Sequence, residues 1–131
     1  MFKKRSLKVL FVAPEAAPFA KVGGLGSVMY SLPIALRNLG YDARIMIPRY
    51  ATIDTDEYHL TMEHEGLKVD KLICNVKKYS FDVKNARCPV TTYFLENQEY
   101  YEQRANVYGY SDDPVRWALL CKGVLEFLKV S

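Results

Sequence analysis

The feature that most restricts the fold of this chain lies near its start. A nearly continuous apolar run, Leu7 to Ala13, is stopped by Pro14 and Pro18 and followed by Gly23, Gly24 and Gly26. The run is rich in β-branched and aromatic residues, the profile of a central parallel strand covered on both faces. The segment Glu15 to Gly26 reads as a loop. Ser27 then caps a helix whose apolar residues Val28, Leu32, Ala35, Leu36 and Leu39 recur at helical spacing up to Gly40. Pro33 falls inside that pattern, where it is expected to kink the helix or displace its start. Ala43 to Pro48 alternates like a second strand. Strand, glycine loop, helix and strand in succession make a right-handed βαβ unit, so the chain is predicted to be α/β, with a Rossmann-like, doubly wound parallel sheet.

Beyond that unit, Ala51 to Glu65 reads as an exposed connection. Leu67 to Ile73, Asn75 to Val83 and Val90 to Leu95 read as strands, the first two a meander and the last returning to the sheet. Asn97 to Gly109 is polar, aromatic and turn-rich. Asp112, Asp113 and Pro114 then start a helix, with an acidic cap, acidic charge at the positive helix end and a proline whose missing N–H does no harm there. Trp117, Leu120, Cys121, Val124 and Leu128 mark one face of that helix, which runs almost to Ser131. In a doubly wound fold such a helix is the crossover to another parallel strand, so residues 1–131 read as one Rossmann-like unit, the front part of a larger domain.

At 131 residues, 50% hydrophobic and 25% charged, the chain has the balance of a globular domain large enough for a core without disulfides or metal. Its net charge of +3 is scattered apart from Lys3-Lys4-Arg5 and Lys77-Lys78, which argues against a nucleic-acid-binding stripe. Cys74, Cys88 and Cys121 fit neither a disulfide framework nor a zinc site and read as thiols in a reducing compartment. The N-terminal apolar run is too short for a signal peptide and is bracketed by Lys8 and Glu15, and no stretch approaches a membrane span, so a cytoplasmic protein is expected.

Chemistry concentrates at Lys21-Val22-Gly23-Gly24-Leu25-Gly26. Glycines let the backbone approach an anion, a helix N-terminus offers unpaired N–H donors, and Lys21 adds a mobile positive charge, a combination that suits a diphosphate. The spacing is neither the dinucleotide fingerprint nor the P-loop, and a tight turn beside an exposed lysine would also account for it. A dinucleotide oxidoreductase also fails at the end of the second strand, where Pro48-Arg49 stands instead of an acidic residue.

From Val9 to Gly26 the sequence closely resembles the opening of bacterial glycogen synthases and plant starch synthases, including their Lys-x-Gly-Gly-Leu signature. The likeness continues through Ser31-Leu32-Pro33-Ile34-Ala35-Leu36 and Ala43-Arg44 to Pro48-Arg49-Tyr50. A second block agrees: Tyr93-Phe94-Leu95-Glu96-Asn97, Tyr100-Tyr101, Tyr108-Gly109-Tyr110-Ser111-Asp112-Asp113 and Arg116-Trp117-Ala118.

The resemblance implies the N-terminal domain of a two-domain GT-B glycosyltransferase. Such an enzyme moves glucose from ADP-glucose or UDP-glucose to the non-reducing end of an α-1,4-glucan with retention, without metal or cofactor. It implies that Lys21 contacts the donor phosphates and that Gly23 and Gly24 lie against the donor sugar and diphosphate. Glu15 either faces the cleft or caps the loop, and Tyr101 and Tyr108 either meet glucan rings or pack internally. Ser27 stands where most relatives carry an aspartate. His59 and His64 do not match the family's His-x-His-Asp-Trp-like segment, which is absent, as is the C-terminal nucleotide-binding domain. No catalytic residue is therefore expected in this chain, and it is expected to be inactive alone. Its partners would be the donor, the glucan and the missing domain or a separate chain carrying it; a non-catalytic glucan- or nucleotide-sugar-binding module and one subunit of a split enzyme are the alternatives.

Overall fold

The computed structural model describes residues 7–80 and 88–131. Five strands form one mixed sheet: β1 (Lys8–Val12), β2 (Asp42–Pro48), β3 (Thr61–Val69), β4 (Leu72–Tyr79) and β5 (Thr92–Glu96), in the order β1-β2-β5-β4-β3. Strands β1, β2 and β5 run parallel, while the β3–β4 hairpin continues the sheet antiparallel from β5. Helix α1 (Gly24–Asn38) makes the crossover from β1 to β2, and α2 (Asp113–Val130) packs against β3, β2 and β5. The α/β class and the βαβ unit are as expected.

The core lies around β2 and β5. Ala43, Ile45, Met46 and Ile47 of β2 are completely buried, and every residue of β5 is buried. The two faces of β5 meet different partners. Tyr93 packs on Phe127, and Leu95 lies against Gly123, both of α2. Phe94, on the other face, meets Phe19 edge-on.

Several expectations are corrected. Among the described residues β1 has one strand neighbour, β2, and its apolar side chains are half-exposed or exposed, not covered on both faces. The hairpin turn falls within the expected strand Leu67 to Ile73, at Asp70-Lys71. Asp70 takes φ 53°, a left-handed conformation that its short polar side chain tolerates. The last third of the supposed connection Ala51 to Glu65, from Thr61 on, is the start of β3. The end of the expected strand Asn75 to Val83 and the basic run Lys3-Lys4-Arg5 lie outside the described residues.

Helix α1 starts at Gly24 with Gly23 as its N-cap, so Ser27 is an exposed residue of the first turn and not the cap. Its core side consists of Gly26, Met29 and Pro33, with Tyr30, Ile34 and Leu36 partly buried beside them, whereas Val28, Leu32, Ala35 and Leu39 face outward. Pro33 sits within an unbroken helix and uses its ring for packing. On α2, Asp112 takes the N-cap position without a side-chain cap bond, because Arg104 holds its carboxylate at 2.7 and 2.8 Å. The buried face of α2 is Arg116, Leu119, Leu120, Gly123, Val124 and Phe127; Trp117 is half-buried, and Cys121 and Leu128 are exposed.

Candidate functional site

In a parallel sheet, ligands gather outside the carboxyl ends of the strands. The loop from Ala13 to Gly23 leaves β1 at that end. Its first half is fastened to the core. Ala16, Phe19 and Ala20 are buried, Ala16 and Ala20 hydrogen-bond each other, and Phe19 sits among Tyr58, Tyr79 and Phe94. The Tyr50 hydroxyl donates to the Pro14 carbonyl and Ala17 N–H donates to the Gly26 carbonyl. The second half is presented to solvent: Lys21 through Leu25 are all exposed. An exposed ammonium thus stands beside an exposed glycine pair at the N-terminus of a helix whose first turn carries no acidic residue.

Glu15 joins the two halves. Its side chain is buried, and Oε1 accepts from Gly23 N–H at 3.0 Å and from Gly26 N–H at 2.6 Å. Burial alone would raise its pKa, but hydrogen bonds from Gly23, the Tyr108 hydroxyl, Gly26 and Val22 outweigh it and hold the carboxyl below its usual value. The loop-capping alternative for Glu15 is what the geometry displays. Gly26 is required there, since a Cβ would lie 2.8 Å from Glu15 Oε1 and 2.9 Å from Lys21 Cγ. Gly23 and Gly24 have open space where a Cβ would be, so their value is an unobstructed backbone.

The tyrosines divide. Tyr108 is 38% exposed, stacks edge-on against Trp117 and donates to Glu15, and burial beside that carboxylate pushes its pKa up to about 12. It therefore adjoins the glycine loop with ring surface available. Tyr101 is completely buried, its hydroxyl donating to the Arg116 carbonyl, and offers no ring face to a sugar in this conformation. Both histidines lie away from this loop's hydrogen-bond network: His59 is exposed in a turn at φ 53°, and His64 is half-buried in β3.

Two charged centres at the same rim carry no local sequence signal. Arg116 is fully buried. Its Nε donates to the Tyr100 carbonyl at 2.9 Å, and one terminal nitrogen donates to the Val107 carbonyl and to Asp113, each at 2.8 Å. The other terminal nitrogen has no hydrogen-bond partner among the described residues, and the guanidinium lies 4.6 and 4.7 Å from the Tyr110 and Trp117 ring centres. This one side chain gathers the segment between β5 and α2, including Tyr108, onto the sheet. At the ends of β2 and β5, Arg49 pairs with buried Glu96 and, at 3.2 Å, with Glu102, while Lys77 reaches Glu96 at 3.2 Å. Burial, and then the neighbouring Glu96, raise the pKa of Glu102 against the pull of Arg49 and Lys77.

Among the described residues, no group of three or more His, Cys, Asp or Glu side chains could hold a metal ion. Cys74 and Cys88 are buried with raised pKa, mainly through burial, and Cys121 is exposed; all three are free thiols. No helix among the described residues is long and apolar enough to cross a membrane.

Residues 8–131 match the family described as the starch synthase catalytic domain. The chain is 43% identical to a glycogen synthase of Geobacillus thermodenitrificans, covering 93% of this chain and 24% of the relative. It is 40% identical to one of Clostridium acetobutylicum, covering 92% and 24% respectively. Among solved structures it is similar to the catalytic domain of Starch Synthase IV from Arabidopsis thaliana bound to ADP and acarbose, with TM-score 0.74, 27% identity, and coverage of 95% of this chain and 25% of that one. The chain therefore spans about a quarter of the length of the curated relatives it matches. With the glycine loop at the carboxyl end of a parallel β1-β2-β5 sheet and a family match running from β1 to the end of α2, this chain belongs to the glycogen and starch synthase family, as the portion that opens its catalytic fold.

Proposed function

We propose that this chain is the N-terminal portion of a retaining glucosyltransferase that moves glucose from a nucleoside-diphosphate glucose to the non-reducing end of an α-1,4-glucan, contributing the Lys21 loop to a donor held mainly by the C-terminal domain. ADP-glucose is the proposed donor, with UDP-glucose as the alternative. The observation that carries the reading is the exposed run Lys21 to Leu25 at the N-terminus of α1, held on a loop whose other half is buried. The binding of ADP and acarbose by the Arabidopsis structure supports both ligand classes.

In this reading the departing diphosphate lies against the first-turn N–H groups of α1, and Lys21 supplies the mobile cation. Fixed donors and a helix N-terminus stabilise charge that develops on the leaving group, with little reorganisation at the moment of reaction. Gly23 and Gly24 contribute by the absence of side chains, so that sugar and phosphate can come close to the backbone. Tyr108 borders the same space and offers a ring edge to the glucan or the donor sugar. Ser27 leaves the first turn of α1 without a carboxylate, which removes one acceptor for sugar hydroxyls and one repulsive charge near the diphosphate.

Transfer needs groups from both walls of a closed cleft in register. The 131-residue chain alone is therefore expected to bind donor but not to transfer glucose. Calorimetric titration with ADP-glucose and UDP-glucose, beside a glycogen-elongation assay, tests this. Saturable binding of one donor without elongation is expected. Absence of binding to either would sink the donor-site reading, and steady elongation by the chain alone would overturn the division of labour.

A further inference from the structure

A helix N-terminus normally leaves its first N–H groups for water, a cap or an anion. In α1 that position is already taken from within. Glu15 lies eight residues before Gly23 and eleven before Gly26, yet one oxygen of its carboxylate accepts from both, bracketing the first turn. Among the described residues Glu15 has no ion-pair partner; Tyr108 and the backbone amides are what face it. The space is closely fitted, because the missing Gly26 side chain is what lets the carboxylate and the Lys21 stem lie against the helix. Gly24 and Leu25 are left as the first-turn residues whose N–H groups have no acceptor among the described residues.

We propose that Glu15 is a positioning residue: an internal anion that clamps the glycine loop to the first turn of α1, and so decides which amides a diphosphate can use. This rests on the donor-site reading above. With the Gly23 and Gly26 amides engaged by the protein itself, the diphosphate is directed to Gly24, Leu25 and Lys21, beside the helix axis and not on it.

The test uses the 131-residue chain, isotope-labelled, with ADP as the probe. Amide exchange from Gly23 to Gly26 and ADP affinity are compared in wild type, Glu15→Ala and Glu15→Gln. The carbonyl oxygen of glutamine can still accept from both amides, whereas alanine cannot. Glu15→Ala is expected to lose about ten-fold in exchange protection at both glycines and about ten-fold in ADP affinity, the size of a lost helix cap. Glu15→Gln should keep both within about three-fold, because the hydrogen bonds survive. A folded Glu15→Ala variant with unchanged exchange and ADP affinity overturns the proposal. So do wild-type Gly23 and Gly26 amides that exchange as fast as those of Gly24 and Leu25, which decides the matter even where the alanine variant does not fold. If wild type fails to bind ADP, the donor-site reading falls and the diphosphate-directing role falls with it, while amide exchange still decides whether the clamp exists.

Discussion

The two flanks of the sheet are built to different standards. On the α2 side, β5 is buried along its whole length, Gly123 brings the helix so close that an added Cβ would lie 2.7 Å from a Leu95 methyl, and a buried arginine gathers the adjoining loop. On the α1 side, β1 has one strand neighbour among the described residues, and Leu25, Val28, Leu32 and Leu39 turn apolar surface outward. Between them the glycine loop shares both characters, anchored through Phe19 and Glu15 and open from Lys21 to Leu25. The contrast separates what holds this chain together from what it presents. Stability resides at β2, β5 and α2, and the proposed donor contacts lie at the rim of β1.

Substitutions should reproduce that division. The largest expected effect is Arg116→Ala, which strips donors from the carbonyls of Tyr100 and Val107 and from Asp113 inside the protein; a loss of about 4 kcal/mol in chemical denaturation is expected. An Arg116→Ala variant as stable as wild type would mean that the aromatic surround, and not the guanidinium, organises the loop. Next comes Gly123→Leu, expected to cost about 3 kcal/mol by overpacking against Leu95, whereas Ser31→Leu on the outer side of α1 should change stability by less than about 0.5 kcal/mol. Equal costs at the two positions would remove the asymmetry between the flanks.

Glu15→Ala belongs between those extremes, at about 1.5 kcal/mol for the lost cap. Its pH dependence has a definite sign. The folded-state pKa of Glu15 lies below the ordinary value of 4.5, so its contribution is fully present above that value and fades as pH falls through the folded pKa. The stability gap between wild type and Glu15→Ala should therefore narrow on acidification, and thermal melts at neutral and acidic pH would reveal a gap that stays constant or widens instead. Leu32→Ser is expected to have the smallest effect on stability, under about 0.5 kcal/mol, while lowering any self-association that sedimentation detects.

The parts legible in the sequence were those with local causes. The alternating run of β2, the glycines around the start of α1 and the Asp-Asp-Pro around the start of α2 each act within a few residues, and each locates its element to within about three residues. The likeness to the synthase family also placed the loop where the structure has it. What was not legible depends on partners far along the chain. Strand β1 has the composition of a central strand, and how far it is covered depends on which elements lie beside it. The apolar row of α1 at Val28 and Leu32 is genuine periodicity, but it identifies an apolar face without saying whether that face meets this sheet. Asp112 is a good cap by type and position, and Arg104, eight residues earlier, claims its carboxylate. Arg49 and Glu96 are 47 residues apart, and Glu15 reads as an ordinary loop acid until the fold brings Gly23, Gly26 and Tyr108 around it.

The central claim is that the exposed run from Lys21 to Leu25 receives a diphosphate. Amide spectra of the labelled chain during titration with ADP test it most directly. The account predicts saturable shifts centred on Gly24 and Leu25, with little change along β4 or α2, and at least a ten-fold weaker response in Lys21→Ala, about the worth of one charge-assisted contact. Shifts absent from Gly24 and Leu25, or equal affinity in wild type and a folded Lys21→Ala variant, would contradict it.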